Sequence, residues 1–139
     1  MLSNENAKDI GLLIIRLGIG ASMLIFHGYD KLTGGPDVWI KIGGNMKMLG
    51  IIFLPVFWGF MAAFAEAIAS VLIMLGILFK PATALLAFTM LIAVLTHMNL
   101  NSWAFNPNWK SASHAIEFLV VYLGLFLIGP GRFGVAFKK

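Results

Sequence analysis

Six ionisable side chains of the sequence lie inside long apolar stretches or at their ends. A charge at the centre of a membrane helix costs at least about 2.5 kcal/mol, so such residues need a partner or a cavity and are functional candidates by default. The set consists of Arg16, His27, Lys31, Glu66, His97 and Glu117, with His114 as a third histidine beside it.

Helical geometry places several of these side chains on shared faces. At about 100° per residue, Arg16 and His27 lie on one face of the first apolar stretch, about 16 Å apart along its axis. His114 and Glu117 are three residues apart and share a face of the last stretch. If successive helices alternate in direction, the histidines and Glu117 lie at one membrane level, while Arg16 and Glu66 lie deeper. This arrangement predicts a polar funnel that opens toward the first and third loops.

A purely structural role for the same residues is the alternative. Arg16 and Glu66 are candidates for a buried ion pair that fixes the order of the helices. His27 and His114, taken singly, are also typical of interfacial or capping residues.

The elements that must position these groups are membrane helices. Hydrophobic residues make up 60% of the 139 residues and charged ones 12%, and the mean hydropathy is +0.90. Soluble domains carry about a quarter charged residues. Apolar stretches predict an all-α membrane bundle in one domain, residues 1–139, with four helices at about residues 10–29, 53–79, 82–98 and 114–129.

Breaks in the pattern separate the four helices. Thr33 to Pro36 ends the first helix, Lys80-Pro81 forms a tight turn before the third, and Asn106-Pro107-Asn108 precedes the fourth. The first link is long enough for a short interfacial helix at about residues 38–49, although Gly43-Gly44 interrupts it.

The charges favour one orientation and exclude one class of partner. With four spans, both termini lie on one side, which collects five lysines and arginines against four in the opposite loops. That balance favours termini in the cytoplasm. The net charge of +4 suits anionic lipid headgroups, and no nucleic-acid motif is present.

The sequence contains no cysteine, which excludes thiol relays and cysteine-based cofactors. Histidines near helix ends are poorly placed to hold a haem within the bundle. His27, His97, His114 and Glu117 are ligand types that zinc or iron accepts, but no local signature supports such a site, so no metal is assigned.

The order of these landmarks resembles the DoxX family. The likeness runs from about residue 11 to residue 133. It rests on Arg16, FHGYDKL at residues 26–32, Glu66 followed by LGILF at 75–79, His97, Glu117, and GPGRF at 129–133.

The resemblance implies a four-helix membrane protein related to thiosulfate:quinone oxidoreductase subunits and located in the bacterial inner membrane. On that basis we expect a quinone-interacting subunit of a membrane oxidoreductase system, linked to sulfur oxidation or oxidative stress. Glu66, Glu117 and His97 would transfer protons, and Arg16, His27, Lys31 and His97 would hold a quinone or an anion. A redox partner subunit would supply electrons, and a homo-oligomer is a further expectation.

Two other functions stay open at this point. A non-catalytic adaptor or assembly factor would use the small side chains Ala62, Ala63, Ala67 and Ser70 as a subunit interface. A small-molecule or proton transporter is the third reading, although inverted repeats are absent from the sequence.

Overall fold

A computed structural model describes residues 3–98 and 108–135, and the regular structure within these ranges is helical throughout. Four of the described helices are long and apolar enough to cross a membrane. We number these spanning helices one to four: Asn4–Thr33, Pro55–Leu75, Phe79–His97 and Trp109–Ile128. The predicted all-α membrane bundle is confirmed.

Spanning helices one and two each contain one π-helical turn. Leu24–Gly28 separates the α-helical segments Asn4–Met23 and Tyr29–Thr33 of helix one. Ala65–Ala69 separates Pro55–Phe64 from Ser70–Leu75 in helix two. A π-turn inserts one residue into a helix and is frequent at functional sites. Neither π-turn was predicted from the sequence.

The first link contains the expected interfacial helix, but it starts earlier and ends at the glycine pair. An α-helix covers Gly35–Gly43, and a 3₁₀-helix continues over Gly44–Leu49. A Cβ atom at Gly43 would collide with the backbone of Pro55, and one at Gly59 would collide with the backbone of Trp39. Only glycine therefore lets this helix lie so close to the start of spanning helix two.

The turn between spanning helices two and three lies earlier than predicted. Helix two ends at Leu75, Gly76 follows with a φ of +72°, and helix three already begins at Phe79. Glycine tolerates this left-handed conformation, so Gly76 makes the break. Pro81 then sits in the first turn of a helix, where its missing N–H costs nothing, and the prediction that Lys80-Pro81 forms the turn was wrong.

Spanning helix four begins at Trp109, before the predicted residue 114. The Asn108 side chain accepts a hydrogen bond from the Ser111 backbone N–H at 3.0 Å, which caps the helix. The first turn of this helix contains mainly polar residues, so the apolar pattern predicted a later start. Asn106 and Pro107 lie outside the described residues.

The core lies along the contacts between consecutive spanning helices. Helix one packs on helix two, helix two on helix three, and helix three on helix four. Fully buried side chains include Met23, Ile73, Leu86 and Tyr122, one from each helix. This packing holds the polar residues of different helices in fixed relative positions.

Candidate functional site

Arg16 is completely buried and is bound by backbone carbonyls. Its guanidinium donates to Ile73 O at 3.0 Å, Met74 O at 2.8 Å and Pro130 O at 2.6 Å, and it lies 5.6 Å from the Phe79 ring centre. Ile73 and Met74 belong to the last turn of spanning helix two, where the carbonyl ends carry partial negative charge. Arg16 therefore joins helix one, the end of helix two and the segment after helix four.

Glu66 pairs with Lys31 and not with Arg16. The Lys31 Nζ atom lies 2.7 Å from Glu66 Oε1 and 2.6 Å from Oε2, and Glu66 is only 2% exposed. The alternative of an Arg16–Glu66 ion pair was wrong, because Arg16 is occupied by carbonyls at the other end of the bundle. Helix one continues to Thr33, which brings Lys31 alongside Glu66.

The two π-turns cross at this ion pair. A Cβ atom built on Gly28 would lie 2.6 Å from the backbone carbonyl carbon and oxygen of Glu66, so the two helices touch backbone to backbone. The Ser70 hydroxyl donates to Glu66 O at 2.7 Å and satisfies a carbonyl in the π-turn. The π-turns and Gly28 thus fix the position of Glu66 relative to Lys31.

A histidine pair spans the gap between helices one and four. The Nε2 atoms of His27 and His114 are 3.1 Å apart, so that one ring donates the hydrogen bond that the other accepts. Phe118 packs edge-on against both rings. A cavity of about 140 Å³ lies beside the pair, and its walls include Lys31, Glu66 and His97.

A larger cavity of about 430 Å³ lies on the other side of the ion pair. Its walls are mainly apolar side chains of spanning helices two and three, including Phe57, Met61, Leu85, Phe88 and Ile92. The interfacial segment closes it with Ile42, Asn45 and Met46. Lys31, Glu66 and His97 line both cavities, so the ion pair stands where the two approach one another.

Trp58 is a residue of the larger cavity that was not predicted from the sequence. Trp58 lines this cavity, and its indole N–H is buried without a hydrogen-bond acceptor in the part of the chain that the structure describes. A buried N–H without an acceptor is costly, which suits a site for an oxygen-bearing ligand. Trp58 lies in the first turn of spanning helix two, where interfacial tryptophans are common, so its position in the sequence did not distinguish it.

The structure brings some of the predicted residues together and separates others. His27, Lys31, Glu66 and His97 line the smaller cavity. Arg16 lies at the opposite end of the bundle, and Glu117 is exposed and lines neither cavity. A shared funnel that includes Glu117 was therefore wrong, because Glu117 points away from the buried side of helix four.

The small side chains of spanning helix two are used within the chain. Ala63, Ala67 and Ser70 are at most 2% exposed, and Ala62 lines the larger cavity. These residues therefore do not form the subunit interface that was considered for an adaptor.

Comparisons with known proteins identify one family. The DoxX sequence family matches residues 11–99, which is more than half of the chain. Arg16, His27, Lys31, Glu66 and His97 lie within the match, whereas Glu117 and His114 lie beyond it. No curated protein and no solved structure matches the chain.

Proposed function

The chain belongs to the DoxX family of multi-pass integral membrane proteins, and from that premise we propose that it binds a quinone in the larger cavity as a component of a membrane oxidoreductase system. The observation that carries the proposal is an apolar cavity of about 430 Å³ between spanning helices, which ends on the ion pair of buried Glu66 with partly buried Lys31. Binding sites for small lipophilic molecules combine apolar walls with a few convergent polar groups and have volumes of about 300–1,000 Å³.

Polar groups around the cavity suit a ring that carries two carbonyl oxygens. The Trp58 indole N–H has no acceptor among the described side chains and backbone, and the Lys31 ammonium and His97 ring provide further donors. The apolar walls from Phe57 to Ile92 suit an isoprenoid tail. A carbonyl oxygen of the ring would accept the hydrogen bond that Trp58 lacks, which would satisfy its buried N–H.

Protons would reach the cavity through residues of this chain. A quinone, when bound, would take up two electrons and two protons, and the electrons must come from a partner subunit or a soluble donor. Glu66 would hold and transfer a proton beside the cavity, helped by His97, and Lys31 would stabilise negative charge on the ring. Arg16 is bound by backbone carbonyls, and neither Arg16 nor Glu117 lines either cavity, so this proposal gives them no role in quinone binding or proton transfer.

We also propose a location in the bacterial inner membrane, with both termini in the cytoplasm, the orientation that the balance of lysines and arginines favours. The two cavities then lie toward the outer face.

Quinone content of the purified protein tests the proposal. Bound quinone is extracted from protein in mild detergent and measured per chain by mass spectrometry. We expect close to one quinone per chain for the unaltered protein and a loss of at least about tenfold for Ala62→Phe, which fills the cavity. Ala84→Phe, on the exposed side of helix three, is the matched control and should retain the ligand.

Variants of the ion pair extend the test to the reaction. Glu66→Gln and His97→Ala should abolish quinone reduction by membranes while the purified chain keeps its helical content. A quinone content at membrane background in the unaltered protein, or equal content in Ala62→Phe and Ala84→Phe, would disprove quinone binding at this site.

A further inference from the structure

The hydrogen-bonded histidines of the smaller cavity form a line from the surface toward Glu66. His114 is exposed, His27 is partly buried, and Glu66 is only 2% exposed. All three line the cavity of about 140 Å³, and the Nε2 atoms of the two rings are 3.1 Å apart. Neither ring lines the larger cavity, so a quinone bound there does not explain the pair.

Imidazole rings are well suited to pass protons. Histidine gains and loses a proton within the physiological pH range, and its two ring nitrogens can accept a proton on one side and release one on the other. In this pair the Nε2 atoms of His27 and His114 face each other. The second nitrogen of each ring is therefore left for another partner, which is the arrangement that a proton relay requires.

The smaller cavity continues the line from the rings to the carboxylate. Its volume of about 140 Å³ is enough for about four water molecules at about 30 Å³ each. Ser111, Lys31 and His97 add polar groups to its walls, and a buried water needs two to four such partners. The walls are therefore compatible with a short chain of water between His27 and Glu66.

We infer that His114 and His27 carry protons between water and Glu66. A proton from water binds one nitrogen of His114, and the Nε2–H of that ring passes its proton to Nε2 of His27. His27 then releases a proton from its other nitrogen to water in the cavity, and that water protonates the Glu66 carboxylate. One proton enters, one proton arrives and no electron moves, and both rings return to their first tautomers before the next transfer. The inference rests on the proposed function, because Glu66 is the group that would hold a proton for the quinone.

The charges around the pair are compatible with this transfer. Besides the two rings, the ionisable groups in the cavity walls are Lys31, Glu66 and His97, one from each of the first three helices. Lys31 and Glu66 neutralise each other at 2.6 Å, so a proton on His27 faces no uncompensated positive charge from that ion pair. Glu66 is also the only carboxylate among the described residues of these walls, and it is therefore the acceptor at the inner end of the route.

The rate at which Glu66 gains a proton tests the route without any quinone. After a light-triggered drop in pH, time-resolved infrared spectroscopy of the purified protein in lipid nanodiscs follows the band of the protonated carboxyl, which Glu66→Gln identifies by removing it. We expect His114→Ala and His27→Ala each to slow this protonation at least about tenfold, because a positioned acid–base group contributes strongly to proton transfer. Ser113→Ala is the matched control and should keep the rate, since Ser113 is exposed next to His114 and lines neither cavity.

Two further readouts separate proton transfer from a structural tie between helices one and four. The rings act in series, so the double variant of His27 and His114 should be no slower than the slower single variant. Free imidazole in solution should restore the rate of His114→Ala in proportion to its concentration, without a change in thermal stability.

Three results would overturn the relay: unchanged rates in both single variants, a slowed rate that imidazole does not restore, or no Glu66 band at any pH at which the protein stays folded. Unchanged rates would mean that protons reach Glu66 past His97. Quinone content is measured separately. A failed relay in protein that holds quinone refutes only the route, and a working relay in protein without quinone refutes only the quinone site.

Discussion

Each end of the bundle holds a cation, fully buried Arg16 at one end and partly buried Lys31 at the other, and the two are neutralised in different ways. At the end near the termini, which we call the closed end, Arg16 is bound on three sides by backbone carbonyls, and neither cavity reaches it. At the other end, which we call the open end, Lys31 is paired with a carboxylate that lines two cavities. A buried cation saturated by the backbone can do little except hold helices together. A cation that is paired with a titratable carboxylate beside a cavity can interact with a bound ligand.

Arg16→Ala should have the largest effect of any single substitution at either end. It removes the buried donor that joins helix one to Met74 O and Pro130 O, while Ile73 O keeps its hydrogen bond from the Gly76 N–H at 3.1 Å, so we expect a loss of about 3–5 kcal/mol in the free energy of unfolding. Unfolding in mixed micelles, followed by circular dichroism, measures this loss. Arg132→Ala, at an exposed arginine of the same end, is the control and should change stability little. Near-equal stability of the two variants would show that the closed end does not depend on Arg16.

Lys31→Met tests the open end in the same assay. The Glu66 carboxylate would remain buried without its partner, so we expect a loss of about 2 kcal/mol, less than for Arg16 because the Lys31 side chain is 32% exposed.

Combining Lys31→Met with Glu66→Gln removes the unpaired charge and should recover part of that loss. Quinone content should stay low in both variants. If the double variant is the less stable of the two, the ion pair is not the interaction that Lys31 supplies.

Gly28→Ala probes how the π-turns hold the open end together. Its methyl group would lie 2.6 Å from the Glu66 backbone, which can give way only if the two helices separate. We expect a loss of about 1–3 kcal/mol in stability. Gly18→Ala, in the same helix with nothing within 4 Å of its Cβ, should stay within about 1 kcal/mol of the unaltered protein. Quinone content should fall only in Gly28→Ala. An equal fall in both variants would mean that the contact between the π-turns is not what maintains the binding site.

The same comparison shows how far the sequence could lead. Apolar stretches predicted four helices, because length and hydropathy are local properties of the chain. The partner of Glu66 could not be predicted, because Arg16 and Lys31 lie on the same helix and only the π-turns and the extension to Thr33 decide which one reaches Glu66. The orientation of Glu117 was also out of reach, since it depends on which face of helix four packs on helix three. The turn between spanning helices two and three was predicted at the wrong place, because helix two ends before Gly76 and not at the Lys80-Pro81 pair.

Trp58→Phe is expected to give the smallest effect and to separate binding from stability most clearly. The indole N–H has no acceptor within the described ranges, so its removal costs no internal hydrogen bond and the free energy of unfolding should stay unchanged or rise slightly. If that N–H donates to a bound quinone, retention should weaken by about three- to tenfold, the scale of one hydrogen bond.

Quinone retained after graded detergent washing measures the loss from Trp58→Phe, with Trp109→Phe, at an exposed tryptophan, as the control. A loss of retention in Trp58→Phe alone, at unchanged stability, would assign the open end to ligand binding. Equal retention in both variants would mean that the tryptophan only fills space, and that any ligand there is oriented by Lys31 and His97.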